Sequence, residues 1–110
     1  MKKMLDSTKG RISFKAPQVM SGPQVHRLKT EVLKFLGKDV EEIVIDFSEV
    51  GYIDLHGLVL FKDICDLMRT AGKKAYAYML QPQMRELLAE VDLLAETESE
   101  ESERYMIKTA

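Results

Sequence analysis

The 110 residues fall within the ordinary size of one domain, and 45% apolar with 31% charged residues is the composition of a globular chain. Lys plus Arg number 16 and Asp plus Glu 18, a net charge of -2 with no basic stripe to offset it, which excludes the bulk attraction that non-specific nucleic-acid binding relies on. The apolar stretches are too short to span a bilayer, which needs about twenty residues, and no apolar h-region follows Lys2-Lys3, so a cytoplasmic chain with no membrane insertion is expected.

Gly10 to Lys15 alternates polar and apolar residues with Ile12 and Phe14 on one face, which predicts an outer strand with one solvated side. Pro17 breaks that period. Ser21-Gly22-Pro23-Gln24 has the spacing of a capping box with Pro in the first turn, so a helix is expected from about Ser21. Val25, Leu28, Val32, Leu33 and Leu36 form its apolar stripe, and Gly37 stands where a left-handed cap would fit. Ile43-Val44-Ile45-Asp46-Phe47 is rich in β-branched residues and reads as a central strand covered on both faces.

After Tyr52-Ile53, Asp54 can cap a second, largely buried helix, with Leu58, Phe61, Cys65 and Met68 in one stripe widened by Leu60, Ile64 and Leu67. Gly72 ends it, and Ala75 to Met79 follows as a strand in a right-handed parallel crossover. Pro82 opens a third helix with Met84, Leu87, Leu88 and Val91 on its apolar side, and Leu93 and Leu94 close the compact unit. Glu96 to Glu103 has nothing to bury and reads as solvated, while Arg104 to Lys108 could form a last edge strand. The methionines, seven in all, read mainly as core filling, with Met20 and Met106 as possible exceptions, and Tyr76 and Tyr78 share one face of their strand and are expected to pack. The whole is an α/β domain of residues 1–110, core about 10–94, with a mixed sheet of four or five strands packed by helices.

The stretch Val44 to Val59, VIDFSEVGYIDLHGLV, resembles the signature of STAS domains, the family that includes bacterial anti-sigma factor antagonists. Ile45, Asp46, Phe47, Ser48, Val50, Ile53, Asp54, Gly57 and Leu58 carry the resemblance, and the element order agrees over about residues 10 to 94. The resemblance implies partner switching: the unphosphorylated domain binds a kinase-like regulator, and phosphorylation of the second serine of an Asp-Ser-Ser-Gly motif releases it. Here Leu55-His56 replaces the serine pair, so His56 stands at the phosphoacceptor position without a hydroxyl. The replacement is open to three readings: a natural variant regulated elsewhere, an introduced substitution, or a histidine serving as a different sensor.

Phosphate on a hydroxyl in the first turn of a helix sits in the positive end of the dipole, a position where an imidazolium is disfavoured. Met20, Ser21, Gly22, Asp54, Leu55, His56, Gly57, Leu58 and Lys62 are therefore the candidate partner-binding residues. Asp54 serves as cap, recognition carboxylate or both. Gly57 permits either close approach of a partner or tight internal packing. Ser48 is an alternative phosphoacceptor or an ordinary turn serine.

An enzyme would draw on Asp54, His56 and Cys65, but His56 and Cys65 on one helix stand roughly 13 Å apart, and Cys65 lies in the apolar stripe. The lone cysteine excludes a disulfide framework, and His26 has no second ligand nearby, so no catalytic residue, metal or cofactor is expected. The expected function is non-catalytic signalling through a regulatory protein of serine kinase, anti-sigma or phosphatase type. The family's outputs include sigma-factor control of transcription, stress signalling, biofilm or polysaccharide regulation and transporter regulation. Two alternatives are a soluble accessory subunit of a membrane transporter ATPase and a small thiol hydrolase.

Overall fold

A computed structural model of the chain describes residues 3–6, 10–95 and 104–108, the first of these as backbone alone. The strands are β1 (Lys3–Asp6), β2 (Arg11–Lys15), β3 (Val19–Met20), β4 (Glu42–Asp46), β5 (Tyr52–Ile53), β6 (Lys74–Tyr78) and β7 (Arg104–Met106). The helices are α1 (Gly22–Leu33), α2 (Leu55–Thr70) and α3 (Pro82–Glu90). The main sheet has the order β1-β2-β4-β6-β7, with β2, β4 and β6 parallel and the two outer strands antiparallel to their neighbours. A mixed α/β fold follows, as the alternation of strand and helix patterns predicts.

Strand register sorts the side chains into two layers. Ile12, Ile43 and Ala75 form one cross-strand row, and Phe14, Ile45, Ala77 and Tyr105 the next, all on the face that carries the helices. Val25, Leu28 and Val32 of α1, Phe61, Ile64 and Met68 of α2, and Met84 and Leu88 of α3 complete the same cluster. Edge-to-face contacts of Phe47 with Phe61, at 5.5 Å between centroids, and of Phe14 with Phe35, at 5.8 Å, tie sheet to helices. The opposite face presents Arg11, Glu42 and Lys74, then Ser13, Val44, Tyr76 and Met106, then Lys15, Asp46, Tyr78 and Arg104.

Several expectations change. The strand at residues 11–15 is not outermost, because Lys3–Asp6 pairs beyond it; alternation reports a solvated face, not an edge. No described helix covers the second face of β4. Ile43, Val44 and Ile45 are nonetheless all buried, Val44 to 8% exposure, as expected of a strand covered on both faces. Helix α1 ends at Leu33 with Lys34 in right-handed conformation, and short i to i-3 bonds at Phe35 and Leu36 replace a glycine cap. Gly37 lacks the positive φ found at Gly72, +75°, where α2 does end. Leu33 is correspondingly exposed.

Helix α2 buries a single stripe, Gly57, Phe61, Ile64, Cys65 and Met68, and is not largely buried. The core extends past Leu94 to Ile107, since β7 pairs with β6 and Ala95 N–H donates to the Met106 carbonyl. Tyr105 is buried, and Arg85 donates to its hydroxyl at 3.0 Å. Met20 is fully buried, so it belongs to the core, whereas Met106 and Met79 are exposed. Tyr76 packs, but under the Arg104 guanidinium at 4.5 Å and not under a helix, while Tyr78 is exposed. The expected solvated segment, Glu96 to Glu103, lies outside the described residues.

Candidate functional site around the start of α2

The site is assembled where β4 hands the chain to α2. The Asp46 carboxylate accepts the Ser48 N–H at 2.8 Å, and the Val50 N–H donates to the Phe47 carbonyl, which turns the chain tightly after the strand. The Gly51 N–H then donates to the Gln18 carbonyl at 2.9 Å, and Tyr52–Ile53 pairs with Val19–Met20 in a separate two-stranded parallel ribbon. This ribbon was not legible beforehand. It fixes the segment before α1 beside the segment before α2.

Asp54 occupies the N-cap of α2 and its Oδ1 accepts the Gly57 N–H at 2.6 Å, the bond expected of a capping carboxylate. Gly57 is buried directly beneath the Met20 carbonyl, so a methyl group there would overlap that oxygen and stand 2.8 Å from the carbonyl carbon. Its missing side chain thus serves internal packing. The His56 ring lies over Gly22, whose Cβ, were there one, would stand 2.7 Å from Nδ1. Both helix starts therefore meet at a glycine.

Of the residues singled out in the sequence, Met20, Gly22 and Gly57 are buried and act as the platform, Ser21, Asp54 and Leu58 are half-buried, and Leu55, His56 and Lys62 are exposed. Leu55 is 77% exposed. Val59, one helical turn on, is 50% exposed, and the paired strand residues Val19 and Tyr52 are 48% and 57% exposed. Sequence reasoning passed over Val19, Tyr52 and Val59. The available signal was phase: Leu55 and Val59 fall outside the stripe of Phe61, Ile64, Cys65 and Met68, so they are apolar residues without a core to enter.

The remaining reactive groups are not gathered here. Cys65 is buried and burial pushes its thiol up to about 12, so it carries no thiolate at neutral pH and His56 stands nine positions away along α2. Ser48 sits in the turn after β4. Among the described residues no cluster of three or more His, Cys, Asp or Glu is placed to hold a metal ion, and no helix is long and apolar enough to cross a membrane. A hollow of about 490 Å³ lies elsewhere, lined by Lys15, Ala16, Pro17, Arg27, Glu31 and Glu49 and crossed by the Lys15–Glu49 ion pair at 2.9 Å. That pair holds the Lys15 ammonium above its usual pKa.

Solved structures with the same arrangement include the anti-sigma factor antagonist SpoIIAA in its unphosphorylated form, at a TM-score of 0.67 and 13% identity over 91% of each chain. The Bacillus cell fate determinant SpoIIAA in the phosphorylated form gives 0.65 and 14% over 91% of this chain and 95% of that one. A sulfate transporter family protein from Wolinella succinogenes gives 0.66 and 12%, with 74% of this chain matched and 66% of that chain spanned. No curated protein matches the sequence significantly. At such identities the likeness is one of fold, but the STAS domain family model matches residues 4–104. The chain belongs to the STAS domain family.

Proposed function

We propose that the chain is a non-catalytic, cytoplasmic partner-switching regulator of the anti-sigma factor antagonist type, docking a kinase- or phosphatase-type regulatory protein with the start of α2. One observation carries this reading: Leu55, at 77% exposure, projects from the first turn of a helix whose cap is already satisfied, with Val59, Tyr52 and Val19 also exposed around it. Apolar side chains held on a rigid base are the usual anchors of a small interface. Asp54, His56, Leu58 and Lys62 supply the polar surround, and Met20, Gly22 and Gly57 hold it in shape, with Ser21 at its margin. The likeness in fold to both SpoIIAA forms supports the reading.

At the position that the family fills with a phosphoacceptor serine, His56 offers an imidazole and no hydroxyl. His56→Asp, which places a fixed negative charge there, should release a partner that the parent binds. The test is affinity purification of parent and His56→Asp chains from the cells that make the protein, with the bound protein identified by mass and its affinity measured. Equal affinity for both chains would place the docking surface elsewhere.

A second reading is an accessory subunit that contacts a transporter ATPase, favoured by the fold likeness to the Wolinella sulfate transporter family protein. The same purification separates the two, since an ABC-type ATPase and a kinase-type regulator differ in mass and sequence. A thiol hydrolase has no comparable support, because Cys65 is enclosed and its thiol stays protonated.

A further inference from the structure

The sheet face that no described helix covers is unevenly matched in charge. Its last row runs Lys15, Asp46, Tyr78 and Arg104 across β2, β4, β6 and β7, and the row beside it runs Ser13, Val44, Tyr76 and Met106. Lys15 is matched by Glu49, and Arg11, at the other end of the face, by Glu42. Arg104 is not matched: stacking on the Tyr76 ring fixes its guanidinium in place, but among the described residues no carboxylate pairs with it. Asp46 has one oxygen engaged by the Ser48 N–H and the other without a hydrogen bond among those residues. The two stand on strands separated by β6, roughly 10 Å apart in backbone, with Tyr78 between them.

The next row repeats the arrangement about β6. Tyr76 has Val44 on one side and the exposed Met106 on the other. A hollow of about 270 Å³ opens at Val44, with Ser13 and Tyr78 beside it and Arg11, Asp46 and Arg104 also in its lining.

We propose that two copies of the chain pair through this face, about a two-fold axis that runs parallel to the strands and passes over β6. Such an axis exchanges the neighbours of β6, so β4 of each copy lies over β7 of the other. Asp46 then meets Arg104 across the pair twice, each exposed Met106 enters the hollow at the opposite Val44, and the exposed Tyr78 rings meet on the axis. Aligned sheets cross at about 30°, which keeps these rows facing each other over three strands. An axis over β4 would instead set Asp46 on Asp46 and Glu42 on Glu42, like charges that oppose association. Among the charged residues of β4, β6 and β7 on this face, the β6 axis brings like charges together at Lys74 alone, at an exposed end of the face where Glu42 adjoins it. The helices and the start of α2 lie on the opposite side of the sheet and stay open in both copies, so the proposal does not depend on the partner-switching reading.

Sedimentation equilibrium of the full chain from about 1 µM to about 1 mM should show a dimer and give its dissociation constant. Arg104→Asp and Asp46→Arg each set like charges against one another in the pair and should weaken association about tenfold or more. An equimolar mixture of the two variants restores both opposite-charge contacts in the mixed pair and should associate as tightly as the parent. A parent that is monomeric over the whole range, or a mixture that associates no more tightly than either variant alone, overturns the proposal. Circular dichroism and unfolding temperature check that each variant folds. Should Asp46→Arg fail to fold, because Asp46 also holds the turn at Ser48, Met106→Lys decides, since it carries another cation into the hollow that Arg11 and Arg104 line. Loss of the dimer is then expected in folded Met106→Lys chain, and a dimer as tight as the parent's overturns the proposal.

Discussion

Across the sheet face that no described helix covers, Arg11 pairs with Glu42 at 2.9 Å and the Arg104 guanidinium lies over the Tyr76 ring, so neighbouring strands satisfy one another's charges and rings. At the start of α2 the pattern is reversed: the polar atoms of the cap are satisfied internally, and apolar side chains are what solvent meets. Cross-strand charge pairing matches the Arg11 and Glu42 end of that face to water, while Tyr78 and Met106 remain exposed on it. Projecting Leu and Val on a fixed backbone make a surface that gains by being covered, at about 25 cal/mol for each Å² of apolar area removed from water. Exposure alone therefore does not mark the functional region; the sign of the mismatch with water does.

The sharpest way to break this contrast is at its base. Gly57→Ala forces a methyl group against the Met20 carbonyl and should cost about 3 kcal/mol in denaturant unfolding. A variant as stable as the parent would mean that the two segments are not locked together. Leu55→Asp tests the surface without the base: partner affinity should fall about 30-fold, the scale of an interface anchor, while unfolding stays within about 0.5 kcal/mol of the parent. A loss of stability equal to the loss of binding would make Leu55 a structural residue.

Asp54→Ala removes the cap and should lower stability by about 1 kcal/mol, measured by the same unfolding curves, with weaker partner binding because the first turn of α2 frays. On the other face, Arg104→Ala gives up the contact with Tyr76 and should cost about 0.5–1 kcal/mol while leaving partner affinity unchanged. Weaker binding in that variant would bring the sheet face into the interface.

The smallest effect at neutral pH belongs to Cys65, where burial raises the thiol from 9.0 to about 12. Between those values the unfolded chain loses the proton while the folded chain keeps it, so stability falls as pH rises through the window. Lys15 acts in the same sense, because its raised pKa contributes stability that is complete below the ordinary value of 10.5 and lost above the folded value. Unfolding temperatures of parent and Cys65→Ala, measured on either side of pH 9.0 but below 10.5, should converge as pH rises.

Much of the fold was readable because its signals are local. Asp54 declares a cap by its type and place, Gly72 takes the left-handed turn that ends α2, and Ile43 to Ile45 have the β-branched run of a central strand. Burial of both faces of β4 was readable, but not its partner on the second face, since an apolar Val44 is equally compatible with a helix above it and with the neighbouring Tyr76 of β6. The candidate surface was half legible: the motif led to Asp54, His56 and their neighbours, but exposure at Val19, Tyr52 and Val59 depends on what the rest of the chain leaves uncovered.

By itself the sequence determined the family, the order of the three helices and of the strands β2, β4 and β6, the position of the cap and the absence of a hydroxyl at residue 56. Only the tertiary structure decided that β3 and β5 pair, that Gly57 lies under the Met20 carbonyl, that Gly22 carries the His56 ring, and that the Ser21 side chain leaves its helix uncapped. The reason is range. Caps, periods and turns are set by residues within a few positions of each other, whereas contacts between residues some 34 positions apart, as from Gly22 to His56, exist only once the sheet has brought two helix starts together.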